Sequence, residues 1–175
     1  MATSATITPF RVNKSPTCSF DASARTLAAF AEITDLIAAG IAADAEVLHF
    51  GDPAMAAYAD GAADAWARCQ TAVTLFLLRQ DVDPILKAAT RQVDGLLRDR
   101  GEAPESLDLY PLTVRRLADR GFKLRTEWSR LVATELTHLA ALLCTLVADA
   151  VAEIDLAADD AARGRGRRLF GAPRR

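Results

Sequence analysis

The chain has 175 residues, 51% hydrophobic, 25% charged and 6% aromatic, with a formal charge of −2. That length gives one domain with a self-sufficient core, and the composition excludes intrinsic disorder. A near-neutral total excludes a chain that is basic throughout, so the placement of charge carries more information than its sum.

Residues 1–20 carry Pro9, Pro16 and scattered Ser and Thr but no acid. They predict an extended arm. The composition resembles a transit peptide, whereas the lack of a continuous apolar block argues against a secretory signal; a retained arm is expected. Asp21 or Ser23 is placed to cap a first helix reaching about Ala39, with Leu27, Phe30, Ile33, Ile37 and Ile41 as its apolar stripe. Gly40 is expected to end or loosen that helix. Gly51-Asp52-Pro53 is a break, Asp52 capping a second helix with Pro53 at its first position.

The second helix is expected to reach about Gln80, with Met55, Ala62, Trp66, Cys69, Val73 and Phe76 on one side. Asp83-Pro84 opens a third, with Ile85, Ala89, Val93 and Leu96 inward, ending near Gly101. Pro104 and Pro111 punctuate a connector. A short helix is expected over 112–120, a turn at Gly121, a long last helix over about 123–161, and a Gly/Arg-rich basic tail over 162–175. No segment has the period of a strand. The expected fold is all-α: residues 21–161 form an antiparallel helical bundle of four main helices plus one short helix.

Both histidines end the same tetrapeptide pattern, Glu46-Val47-Leu48-His49 and Glu135-Leu136-Thr137-His138. On a helix, residues i and i+3 share a face, so each pattern offers a carboxylate and an imidazole to one ion, as in di-metal carboxylate bundles. Glu135 falls within the stripe set by Trp128, Leu131, Leu139, Leu142 and Leu146, with His138 on its flank. Glu46 points to solvent if the first helix continues through Gly40. The second helix has no Glu, and its Asp60 and Asp64 lie opposite the Trp66 side. Metal binding through Glu46, His49, Glu135 and His138 is therefore the alternative reading, and no cofactor is expected.

Arg115, Arg116, Arg120, Lys123, Arg125 and Arg130 cluster around Gly121. Leu112-Thr113-Val114-Arg115-Arg116-Leu117-Ala118-Asp119-Arg120-Gly121 resembles the first helix and turn of a helix-turn-helix, which implies DNA binding. Ala118 and Gly121 stand one residue too close for that motif, and Leu124 and Trp128 read as core. A solvated face with local ion pairs to Asp119, Glu127 and Glu135 is the plainer expectation. The scarcity of Lys beside Arg fits a GC-rich, bacterial coding sequence. Beyond Arg163 the tail adds Arg165, Arg167, Arg168, Arg174 and Arg175 without an acid, around the apolar Leu169-Phe170. Charge plus an apolar anchor suits a short docking motif.

The three cysteines, Cys18, Cys69 and Cys144, have no C-x-x-C spacing, which points to a reducing, cytoplasmic setting. No membrane span is expected: the most apolar run, Leu139–Ala148, is roughly half the length a bilayer needs. No phosphate loop or nucleophile elbow is present. The expectation is a non-enzymatic helical interaction protein (structural subunit, adaptor or regulator) acting on a protein partner or on itself. Arg115, Arg116, Arg120, Lys123, Arg125, Arg167, Arg168, Leu169 and Phe170 are its candidate partner-binding residues. Nucleic-acid binding through Arg115–Arg130 and the tail is the second alternative. Ala-rich amphipathic helices are also compatible with a storage-granule coat of the phasin type.

Overall fold

The computed structural model describes the backbone of residues 16–50, 56–100, 106–124 and 126–170, and the side chains of 23–47, 59–100, 106–124 and 126–156. Five helices account for nearly all of it: α1 Pro16–Phe50, α2 Ala56–Leu78, α3 Pro84–Asp99, α4 Leu109–Lys123 and α5 Glu127–Phe170. No strand occurs among the described residues, so the fold is all-α. The helix pairs α1–α2 and α4–α5 make the most extensive contacts. Helix α3 joins them, touching α2, α4 and α5, and α1 also reaches α5.

The core is aliphatic, as the scarcity of aromatics requires. Phe30, Ile33 and Ile37 of α1 meet Cys69, Val73 and Phe76 of α2, and the Phe30 and Phe76 ring centroids lie 5.9 Å apart. Leu86, Ala89, Val93 and Leu96 fill the inner side of α3. Leu136, Leu139, Leu143 and Leu146 fill that of α5. The start of α3 follows its sequence signal: Asp83 accepts a hydrogen bond from the Ile85 amide at 2.8 Å, with Pro84 behind it.

Several boundaries differ from expectation. Helix α1 begins at Pro16, so residues 16–20 of the expected arm are helical, and residues 1–15 lie outside the described ones. It also runs without interruption through Gly40, which is buried under the Trp66 indole. A Cβ at position 40 would stand 2.7 Å from Trp66 Cε2. Gly40 is thus a point of close approach between α1 and α2 and ends nothing. Gly121 likewise does not turn the chain. It lies inside α4, facing α5, where an added Cβ would meet that of Ala133 at 3.1 Å. Helix α4 ends at Lys123, Leu124 forms a turn, and α5 opens on a reciprocal cap. The Thr126 hydroxyl accepts from the Ser129 amide at 3.0 Å, while the Ser129 hydroxyl accepts from the Thr126 amide at 3.0 Å.

Helix α4, at 15 residues, is nearly as long as α3, at 16. At the other end α5 continues through residues 162–170, where a non-helical tail was expected. Within α1, Ser23–Val47 is long and apolar enough by length and composition to cross a membrane, an 18-residue window of it reaching a mean hydropathy of 1.5. Glu32 and Asp35 interrupt it, so its continuous apolar runs are all far shorter than a bilayer needs.

Candidate interaction surfaces

The four residues of the acid–imidazole patterns are not assembled by what the structure describes. Glu46 is exposed on α1, and the side chain of His49 lies outside the described residues. On α5, Glu135 is half-buried and His138 exposed. The inward side of α5 is set by Val132, Leu136, Leu139, Leu143 and Leu146, rotated from the expected stripe, because Leu131 is 51% exposed. Among the described residues no group of three or more His, Cys, Asp or Glu side chains is arranged to hold a metal ion.

The basic cluster is a surface. Pro111, Val114, Ala118 and Gly121 face inward on α4, which leaves Arg115, Arg116, Arg120 and Lys123 exposed. None of the four forms an ion pair among the described residues, so the expected local pairing with Asp119, Glu127 and Glu135 is not seen there. Leu109, Leu112, Phe122 and Leu124 are exposed beside them, Leu124 against its expected place in the core. Arg125 lies outside the described residues. Arg167, Arg168, Leu169 and Phe170 belong to the last turns of α5, with side chains outside the described set. Between α4 and α5 runs an open apolar groove of about 220 Å³, formed by Pro111, Leu112 and Arg115 on one side and Thr137, Ala140, Ala141 and Cys144 on the other.

What sequence reasoning missed is a surface defined by missing charge. From Leu131 to Ala152 the exposed residues of α5 are Leu, Thr, His, Ala and Cys, and none is Asp, Glu, Lys or Arg. A smaller face of the same kind spans Gln70–Leu78 on α2, where Leu75 and Leu78 are 61% and 72% exposed. Sequence alone does not reveal such a face, since its outer side is defined only once packing fixes the inner one.

A clamp joining three helices also went unseen. Trp66 Nε1 donates to Asp44 Oδ2 at 2.9 Å, and Arg100 donates to the same oxygen at 2.5 Å. The Arg100 guanidinium lies 4.8 Å from the Trp66 ring centroid. One carboxylate therefore fixes an indole and a cation that are already stacked on each other, tying α1, α2 and the end of α3. The three side chains satisfy one another, which marks the cluster as structural.

The two described cysteines are chemically distinct. Cys69 is fully buried in the α1–α2 contact, and loss of hydration pushes its thiol from 9.0 up to about 11. Cys144 is exposed beside the α4–α5 groove. Alkylation of the native protein near pH 8 is expected to modify Cys144 and spare Cys69 until denaturant is added, as read by peptide mapping. Equal native labelling would contradict the burial of Cys69. The raised thiol also sets a sign for stability. The unfolded thiol ionises from 9.0 while the folded one stays protonated to about 11, so stability falls as pH rises through that window and is unaffected by this group below it. No protein-family model, curated protein or solved structure matches this chain.

Proposed function

We propose that this chain is a non-enzymatic helical protein that works by associating with other protein, as a structural subunit, adaptor or regulator. The observation that carries this reading is the uncharged outer face of α5. One residue in four of the chain is charged, yet from Leu131 to Ala152, roughly 30 Å of helix, no fully exposed residue of α5 is charged, and the half-buried Glu135 and Asp149 stand only at the edge of that face. Exposed surface of that extent without solubilising charge is characteristic of a face that a partner covers. Leu109 and Leu112 of α4 enlarge it.

The cations Arg115, Arg116, Arg120 and Lys123 beside that face, without ion pairs among the described residues, suit steering of an acidic partner. Arg125, Arg167, Arg168, Leu169 and Phe170 extend the same proposal along the chain. An antiparallel bundle belongs to this reading. Gly121, late in α4, abuts Ala133, early in α5, while Pro111 at the start of α4 shares a groove with Cys144 further along α5. Helix α1 is taken as a core helix, since Phe30, Ile33 and Ile37 are buried while Arg25, Glu32 and Asp35 face out. A cytoplasmic location belongs to the same proposal, supported by the two free thiols among the described residues.

Untagged protein purified at low salt is expected to run as an assembly heavier than 18.8 kDa or with a companion protein. A concentration-independent monomer mass without a companion would overturn the proposal. The exposed cations of α4 favour nucleic-acid binding as the second reading, which the same experiment detects as co-eluting nucleic acid released by high salt.

A further inference from the structure

We propose that the occupant of the α5 face is a second copy of this chain, docked antiparallel about a two-fold axis passing between Ala141 and Cys144. This inference rests on the association reading above and names its partner.

The outward seam of α5 starts at Arg130, ends at Asp155, and passes through Thr134, Thr137, Ala141, Cys144 and Ala148. From Arg130 to Ala148 successive positions are separated by alternating steps of four and three, and the half-buried Val151, packed partly against the core, continues that spacing to Asp155. All of these residues except Val151 are exposed. Between its charged ends the seam is made of small side chains, which lets two helix backbones approach closely. Its hydroxyls do not resist covering. Thr134 donates to the Arg130 carbonyl at 3.0 Å and Thr137 to that of Ala133 at 2.8 Å. Both hydroxyls are therefore satisfied within α5, and burial strands no donor.

Charge complementarity fixes the partner and the direction. When Ala141 lies opposite the partner's Cys144, Thr137 falls opposite the partner's Ala148, Thr134 opposite the partner's Val151, and Arg130 opposite the partner's Asp155. All four pairs share one midpoint, so the register is its own complement, as a two-fold contact requires. It places a cation against a carboxylate at both ends. A parallel pairing would instead set Arg130 against Arg130 and Asp155 against Asp155. Within one chain the two residues lie roughly 37 Å apart along α5, so they meet only between copies. Neither has an ion-pair partner among the described residues.

The test is sedimentation equilibrium of the full chain and four variants. Wild type is expected to form a dimer whose population rises with concentration. Arg130→Asp alone, or Asp155→Arg alone, sets like charges together at both ends and is expected to weaken the dimer roughly tenfold. The double variant Arg130→Asp/Asp155→Arg is expected to restore it. Ala148→Glu buries an unpaired carboxylate against the partner's Thr137 and is expected to weaken the dimer by roughly a hundredfold or more. All three positions are exposed, and unchanged far-ultraviolet ellipticity verifies that each variant is folded. A dimer insensitive to the single reversals, or not restored by the double one, overturns the proposal. A monomer that retains a different protein overturns the second-copy assignment and leaves the association reading standing. A monomer without any companion overturns both.

Discussion

Phe30→Ala is expected to lower the free energy of unfolding by about 3–5 kcal/mol, measured by urea or thermal denaturation. Phe30 is fully buried and lies tilted at 55° against Phe76, so alanine removes both a large transfer term and an aromatic contact. The helices around it have little means of closing the gap. At Gly40, less than three turns further along α1, the α1 backbone already touches the Trp66 indole, which fixes the spacing of the two helices. A domain of this size has about 5–15 kcal/mol in total, so this one change removes a large share. Leu75→Ala is the matching control. It sits one residue before Phe76 but is 61% exposed, and it is expected to shift stability by no more than about 0.5 kcal/mol. A Phe30→Ala cost below about 1 kcal/mol would mean that the α1–α2 contact is not the core.

That contact was legible in the sequence because its residues are large and recur at helical spacing. Val93 and Leu96 on α3 were announced in the same way, between an Asp-Pro start and a basic end, whereas near that start the fully buried residue is Leu86 and the expected Ile85 is only half-buried. On α5 the same reasoning picked the wrong side. Trp128, Leu131 and Leu142 are larger than Val132 and Ala133 and drew the stripe toward themselves, yet Leu131 is exposed while Val132 and Ala133 are buried. In a helix with apolar residues on nearly every side, size does not tell which side is inside, and only the neighbouring helices decide. The two glycines were misread for a related reason. A mid-helix glycine costs about 1 kcal/mol in propensity, and a close helix approach outweighs that. The Asp44–Trp66–Arg100 clamp joins residues 22 and 56 positions apart, a separation at which no local pattern operates. The exposure of Arg115, Arg116, Arg120 and Lys123 was legible, because cationic side chains rarely face a core. The seam beside them was not, because between its charged ends every residue type in it is equally at home inside.

Gly40→Leu tests this view of glycine directly and is expected to cost about 3 kcal/mol. Even the first carbon of the new side chain would stand 2.7 Å from the indole, inside any tolerable contact. Trp66 cannot swing aside freely, since that movement gives up its hydrogen bond to Asp44 and its stacking with Arg100. Gly61 provides the opposite case. It is exposed on α2, and a Cβ there would meet nothing within 4 Å. Gly61→Ala is therefore expected to stabilise the protein by up to about 1 kcal/mol through backbone entropy alone. Two helical glycines are thus predicted to respond with opposite sign. Adding Trp66→Ala separates collision from any other effect at position 40. With the indole removed, Gly40→Leu is expected to cost much less than it does in the intact protein, a coupling a double-mutant cycle reads directly. Strict additivity of the two changes would show that α1 and α2 do not meet at this point, and the placement of the Asp44–Trp66–Arg100 clamp would fall with it.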